Sequence, residues 1–188
     1  DKVKQFRNDF ESKKEIFEAF GNTVAYIIKS LLDKNSFQYQ VVSNRVKLLK
    51  SIEDKVMTGS IPDSINELTE IDDIIGCRVI FYLESDIERF INLLYEEFPV
   101  IKHNLRYSDD GYNAVHLVLG LKPARLELME YERFVGLKCE VQLTTVLFHS
   151  WSEISHNIIY KMPLDIMEFD EPSVAALKKQ FEEVMKNH

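Results

Sequence analysis

The sequence predicts an α/β fold, α+β in its layering, with a mixed five-stranded sheet flanked by helices. Three observations predict it. Apolar runs of strand length alternate with segments of helical period along the chain. One run, Ile74 to Leu83 (IIGCRVIFYL), is nearly all apolar, the pattern of a strand covered on both faces. The 188 residues suffice for one domain with a substantial core plus terminal helices.

The elements follow in order. Val3 to Leu32 reads as a helix, because Phe6, Phe10, Ile16, Phe17, Phe20, Val24, Ile27, Ile28 and Leu31 recur every three or four positions with charges between them. Asp33 to Ser36 breaks it, and Phe37 to Ser43 (FQYQVVS) reads as a strand. Lys47 to Met57 reads as a helix closed by Gly59 and Pro62. After the apolar strand, Asp86 to Phe98 is a helix with Ile87, Phe90, Ile91, Leu94 and Phe98 inward. Val100 to Leu105 is a strand and Tyr107 to Gly111 a loop. Asn113 to Leu121 and Gly136 to Leu143 are strands, and Thr145 to Tyr160 is a helix with Trp151 as its core anchor. An acidic linker, Asp165 to Pro172, leads to a last helix, Ser173 to Asn187, which Ser173 is placed to cap. The expected division is an N-terminal helical segment (1–36), a central domain (37–163), and a linker with C-terminal helix (164–188).

Hydrophobic residues make up 45% and charged residues 29%, an ordinary soluble mixture, and no apolar run reaches the roughly 18 residues of a membrane span. Asp1 to Phe10 is charged and is no signal peptide, and without an initiator Met the chain is expected to be a piece of a longer one. Cys77 and Cys139 sit in apolar runs and are expected to be buried free thiols, which fits a cytoplasmic protein. The net charge of −8 argues against a nonspecific nucleic-acid coat but permits a local basic pocket.

Four patches carry chemistry. In RVKLLKSIEDK, Lys47, Ser51 and Lys55 are four apart and would share a helix face just beyond Arg45. Cations and a hydroxyl so placed suit a polyphosphate, although a solvated charged face has the same pattern. Asp72 and Asp73 precede the apolar strand and Arg78 lies within it; an arginine there needs an anion, whether a carboxylate or a bound phosphate. In LKCEVQL the alternation sends Leu137, Cys139, Val141 and Leu143 one way and Lys138, Glu140 and Gln142 the other. One carboxylate from each of two strands, Asp73 and Glu140, makes an economical Mg²⁺ site. In GYNAVH, Tyr112 and His116 face one side of a strand, a seat for a nucleobase and ribose or simply core and edge residues.

Taken in order, these patches resemble the RelA/SpoT alarmone synthetase family over Arg45 to Lys161. RVKLLKSIEDK is similar to its Arg-x-Lys-x-x-x-Ser-Ile-x-x-Lys segment and IDDIIGCRVIFY to its Asp-Ile-x-Gly-x-Arg strand. DDGYNAVH resembles its Asn-Gly-Tyr-x-x-x-His loop, CEVQLTT its Glu-x-Gln-x-Arg-Thr strand, and HSWSEISHNIIYK its closing helix. The resemblance implies a nucleotidyltransferase-like synthetase fold and a pyrophosphokinase that moves the β,γ-pyrophosphate of ATP to the 3′-hydroxyl of GTP or GDP, giving (p)ppGpp and AMP. It implies that Arg45, Lys47, Ser51, Lys55 and Arg78 bind ATP, and that Asp73 and Glu140 are the catalytic and Mg²⁺-binding acids. Tyr112, His116, Lys102, Asn113 and Gln142 would form the acceptor site.

The chain departs from the pattern in KHNLRYSDDGY, where Ser108 replaces a lysine, Asp109 and Asp110 add negative charge, and only Lys102, His103 and Arg106 are left as phosphate partners. Thr144 and Asn113 stand where arginine is usual. An adenine nucleotide or a tRNA 3′ end is therefore an alternative acceptor, and a catalytically inactive nucleotide-binding module is a third reading. His149, Glu153 and His156 fall at helical spacing and are read as a polar helix face rather than a zinc site. The terminal helices are expected either to pack on the domain or to pair copies into a homo-oligomer.

Overall fold

A computed structural model of the protein describes residues 2–107 and 113–154, with residues 176, 179, 180 and 183 beyond them. The first helix, α1 (Lys2–Lys34), buries one stripe, Phe6, Phe10, Phe17, Phe20, Val24, Ile27 and Ile28, as its periodicity predicts, while Leu32 is buried in place of the expected Leu31 and Ile16 is only partly covered. It ends in a tight turn, where Ser36 takes a positive φ of 57° and Phe37 N–H donates to Leu32 O at 3.0 Å. Phe37 is thereby buried before the strand begins, so β1 runs Tyr39–Val46 instead of the expected 37–43.

The helix α2 spans Leu49–Met57. Its expected start at Lys47 is corrected: Lys47 N–H donates to Ile74 O at 2.8 Å, which holds the residue in a continuation of the strand ladder. After a 3₁₀ turn at Leu68–Glu70 come β2 (Ile75–Phe81), α3 (Glu84–Glu97), β3 (Val100–Tyr107) and β4 (Asn113–Leu119). A short helix, α4 (Pro123–Leu126), and a 3₁₀ turn at Glu132–Phe134 fill a stretch where no element was expected. The strand β5 runs Cys139–Thr145 rather than 136–143, because Gly136 has a φ of 79° and makes a turn there. The last described helix, α5, is Val146–Ile154, and Phe148 N–H reaches Thr145 Oγ1 at its start. The expected linker 165–172 lies outside the described residues. Of the expected last helix, only residues 176, 179, 180 and 183 are described, and they are helical.

The sheet order is β1-β2-β5-β4-β3, with β2 and β5 parallel and the other neighbours antiparallel, so the predicted mixed five-stranded sheet is present. The helices α1 and α3 pack on one face of it. There Phe37, Phe81 and Phe90 meet edge-on or tilted at 5.4–6.2 Å between ring centres, and Phe20 meets Phe134 at 5.4 Å. Gly21 allows α1 to lie this close, since a Cβ there would stand 3.1 Å from Asn44 Nδ2 and 3.2 Å from Ile75 Cγ2.

The expectation that Ile74–Leu83 is covered on both faces is half corrected. Ile75, Cys77, Val79 and Phe81 face the helices, whereas Gly76 and Arg78 lie on a face that stays partly open. Toward the far end that face closes, with Ile80 and Thr144 buried where α5 packs on β2 and β5. Trp151 is buried as expected, and Cys77 and Cys139 are buried free thiols.

Truncating the fully buried Phe90 to Ala should cost about 3–5 kcal/mol of unfolding free energy in urea, and Phe90→Leu less than half of that. Equal losses for the two variants would show that the aromatic cluster does not organise this layer.

Candidate functional site

Bridged residues on neighbouring strands point to the same side of a sheet. The register therefore lays two rows across the open face. One is Arg45–Gly76–Glu140–Val118–Lys102, and the other is Ser43–Arg78–Gln142–His116–Asn104. Between β1 and β5 the face sinks into a cleft of about 150 Å³, open to solvent and lined by Arg45, Lys47, Asp73, Gly76, Arg78, Glu140 and Gln142 among others. Arg45, Lys47, Asp73 and Glu140 thus converge as predicted, and Lys55, which does not line the cleft, joins them through Asp73.

The route to that convergence differs from the expected shared helix face. Arg45 comes from β1, Lys47 from the connector and Lys55 from α2, and both lysines donate to Asp73 Oδ2, Lys55 at 2.9 Å. Ser51, in the first turn of α2, does not line the cleft. Burial alone would raise the Asp73 carboxyl, but the hydrogen bonds from the two lysines outweigh it and hold the group below its ordinary range. Burial pushes the Lys47 ammonium down. Lys55 is held up by its contact with Lys47 and by Asp73, so the more exposed of the two lysines keeps its proton more firmly.

A second network centres on Gln142. Its Oε1 accepts from Arg78 Nε at 3.1 Å and Nη2 at 2.9 Å, while its Nε2 donates to Glu140 Oε1 at 2.7 Å. His116 Nδ1 stands 3.4 Å from the same Glu140 oxygen, an ion-pair distance at an angle that leaves both ring nitrogens buried without a formed hydrogen bond. Burial would raise Glu140, yet His116 and Gln142 outweigh it and its carboxyl lies below the ordinary range. Arg78 Nη1 also lies 3.5 Å from His149 Nδ1; burial and that neighbouring guanidinium push His149 down, so His149 serves as a neutral neighbour. Cys77 borders the cleft but turns its side chain into the helix-covered layer, where burial pushes the thiol up to about 12 and leaves it inert.

Among the described residues, neither Arg45 nor Arg78 meets a carboxylate. No described residue therefore supplies the anion that an arginine in this strand was expected to need. Gly76 adds to this. Its φ is ordinary, and a Cβ there would find nothing nearer than 3.9 Å, so neither backbone conformation nor packing requires glycine. A side chain would instead stand in the cleft between Arg45 and Glu140, where its absence leaves room for a ligand.

For a metal, no cage of three or more His, Cys, Asp or Glu side chains forms among the described residues. Asp73 and Glu140 do share the cleft, close enough that the charge of Asp73 opposes ionisation of Glu140. Two carboxylates fit a Mg²⁺ ion that arrives with substrate phosphates. All described bonds to Asp73 use Oδ2, which leaves Oδ1 for such an ion.

Of the expected acceptor residues, His116, Gln142 and Lys102 lie on the open face, and Lys102 is held by Asp72 at 2.5 Å. His103 is corrected: its register puts it on the opposite face, where Nδ1 meets the Tyr95 hydroxyl at 2.9 Å. Tyr112, Arg106 and Asn113 contribute no described side chain, and His156 lies outside the described residues. Sequence reasoning missed Lys138 as a site residue, although its alternation with Glu140 and Gln142 placed it on their face.

The model of the region found in RelA/SpoT proteins matches residues 44–164. The chain is 30% identical over 129 residues to GTP pyrophosphokinase YwaC of Bacillus subtilis, covering 65% of the chain and 59% of YwaC. It is 30% identical over 134 residues to GTP pyrophosphokinase YjbM of the same organism, covering 69% of the chain and 60% of YjbM. The chain thus spans about three fifths of the length of these two curated relatives. Its fold matches the crystal structure of small alarmone synthetase 1 from Bacillus subtilis bound to its product pppGpp, with a TM-score of 0.65 and 22% identity over 98% of this chain and 92% of that one.

The depressed Asp73 carboxyl carries a pH signature. Its contribution to stability is complete above the unfolded carboxylate range of about 4 and is lost as pH falls through its lower folded value. Asp73→Asn should therefore be less stable than wild type near neutrality, with the gap narrowing as pH falls below about 4 in a urea series. A gap independent of pH would mean that the lysine pair does not act through the Asp73 charge.

Proposed function

The chain belongs to the RelA/SpoT family, and from that premise we propose that it is a Mg²⁺-dependent pyrophosphokinase that transfers the β,γ-pyrophosphate of ATP to the 3′-hydroxyl of GTP or GDP. The observation that carries this reading is the single cleft in which Arg45, Lys47 and Arg78 face Asp73 and Glu140. The names of YwaC and YjbM and the pppGpp bound to the synthetase with the same fold support the choice of reaction and acceptor.

In this reading Arg45 and Arg78, which line the cleft and meet no carboxylate among the described residues, grip the phosphate chain of ATP. The space beside Gly76 admits the reacting phosphoryl group. The acceptor's 3′-oxygen forms a bond to the β-phosphorus and its proton passes to solvent, the bond from that phosphorus to the oxygen bridging to the α-phosphate breaks, and AMP leaves with its electron pair. Such a transfer is governed by in-line positioning and by neutralisation of spreading negative charge. Lys47 and Lys55, fixed by Asp73, supply positive charge that needs no reorganisation during the step. Mg²⁺, held by Asp73 and Glu140, would add Lewis-acid stabilisation of the transferred oxygens. The lowered Glu140 carboxyl suits metal ligation better than strong-base duty, and its hydrogen bond with Gln142 keeps it aimed at the cleft. His116, with ring nitrogens lacking a formed bond, is the group that would meet the acceptor ribose.

No described helix is long and apolar enough to cross a membrane. Nucleotide substrates and two buried free thiols support a cytoplasmic place of work. Pairing of copies through the terminal helices is part of the proposal, α1 carrying an exposed Tyr26 on its outer side.

Incubation with γ-labelled ATP, Mg²⁺ and separate acceptors tests the reaction. Label in GTP or GDP is expected, label in ATP, ADP or tRNA would reassign the acceptor, and the absence of AMP would sink the enzyme reading. Asp73→Asn and Glu140→Gln should each lower turnover by about 10²–10³ while circular dichroism stays native, and full activity in either would refute the site. Gly76→Ala should raise the KM for ATP while leaving stability unchanged or up to about 1 kcal/mol higher, because a strand glycine is replaced. An unchanged KM would remove the argument that the missing side chain serves the ligand.

A further inference from the structure

Asp72 adjoins Asp73 in the chain, yet its carboxylate serves a different set of partners. Lys102 Nζ donates to its Oδ2 at 2.5 Å and Lys138 Nζ to its Oδ1 at 2.6 Å, while Lys138 also donates to Glu70 O at 2.7 Å. One carboxylate thus holds two ammonium groups, and the cluster keeps an excess of positive charge. Both Asp72 oxygens are used, which draws its carboxyl below the ordinary range against the effect of burial. Lys138 is only 17% exposed, so its ammonium is fixed in advance rather than mobile on the surface.

The position of the cluster suggests its role. Lys102 lies in the same cross-sheet row as Glu140, two strands away or roughly 10 Å at the usual strand spacing. Lys138 lies two residues before Glu140, roughly 7 Å along the strand direction. Lys102 stands across β5 from Arg45, Lys138 stands on β5 itself, and neither lines the cleft that holds Arg45 and Arg78, so they are separate from the phosphate grip assigned to ATP. A nucleotide with its 3′-hydroxyl at Glu140 carries its 5′-phosphates away from the ribose by a comparable span.

Resting on the pyrophosphokinase reading, we propose that Lys102 and Lys138 receive the 5′-diphosphate of the acceptor nucleotide, and that Asp72 is a resident anion that holds the two ammonium groups ready and yields them to it. In KHNLRYSDDGY, Asp109 and Asp110 offset Lys102 and Arg106, and Lys138, on another strand, adds a positive charge beside Lys102.

Calorimetric titration with GDP and with guanosine tests the assignment on wild type, Lys138→Ala, Lys102→Ala and Asp72→Asn. Each lysine variant should weaken GDP about tenfold, the loss of one charge-assisted contact, and leave guanosine unchanged. Asp72→Asn should tighten GDP, because the lysines lose their resident anion. If Lys138→Ala fails to fold, Lys138→Gln keeps most of the stem and gives the same reading. GDP affinities equal to wild type in both lysine variants would overturn the inference and leave the cluster a structural clamp. Equal weakening of GDP and guanosine would overturn it too, since the phosphates would not be the group recognised. Turnover is read separately, by AMP release, so an active wild type whose GDP affinity ignores both lysines overturns this inference alone.

Discussion

The parallel register of β2 against β5 is the constraint on which the rest of the site depends. It sets Gly76 opposite Glu140 and Arg78 opposite Gln142. Because paired residues share a face, a glycine with no side chain stands between Arg45 and Glu140, and a guanidinium stands beside an amide. A slip of one residue would turn Glu140 and Gln142 into the helix-covered layer and put Cys139 and Val141 in the cleft. The apolar layer prevents that slip. Val79, Phe81, Val141 and Leu143 are fully buried on the α1 and α3 side, and none could turn to solvent without losing that burial.

A chain of net charge −8 nevertheless gathers Arg45, Lys47, Lys55, Arg78, Lys102 and Lys138 on one face against Asp72, Asp73 and Glu140. The acids make this concentration tolerable. Lys47 and Lys55 meet at Asp73, and Lys102 and Lys138 meet at Asp72, so two of the three carboxylates each organise a pair of like charges that would otherwise repel. The arginines are left outside this scheme. Among the described residues, charge is thus sorted into lysine pairs fixed by a carboxylate and two guanidinium groups that meet none, an arrangement that suits the proposed phosphoryl chemistry.

Much of this was legible in the sequence. The α1 stripe, the apolar β2 core and the alternation of β5 follow from side-chain period, which set Glu140 and Gln142 on one face of one strand, with Arg78 inside a second and Asp73 just before it. What the sequence could not give was the partner of each side chain. The spacing of Lys47, Ser51 and Lys55 matched a helix, but Lys47 is drawn into the ladder by Ile74, and its meeting with Lys55 occurs through Asp73 in space. His103 and Lys102 are adjacent in the chain and looked equivalent, yet strand alternation sends them to opposite faces. Lys138 was on the correct face from its alternation alone. Its importance emerged only with Asp72 and Lys102, which are far from it in the chain and near it across the sheet.

Gln142 shows why a neutral residue sits at the centre of so charged a site. Its amide oxygen accepts two bonds from Arg78 while its amide nitrogen donates to Glu140. A carboxylate in its place would neutralise Arg78 and repel Glu140, raising the pKa of an acid that the site keeps ionised. A lysine would pair with Glu140 and repel Arg78. A direct bond between Arg78 and Glu140 would satisfy both ions and leave neither for substrate. An amide is the side chain that bonds to a cation on one side and an anion on the other while taking the charge of neither. It therefore leaves the Arg78 guanidinium and the Glu140 carboxylate a short distance apart and unquenched by each other, the state that the proposed grip on a phosphate and a metal requires.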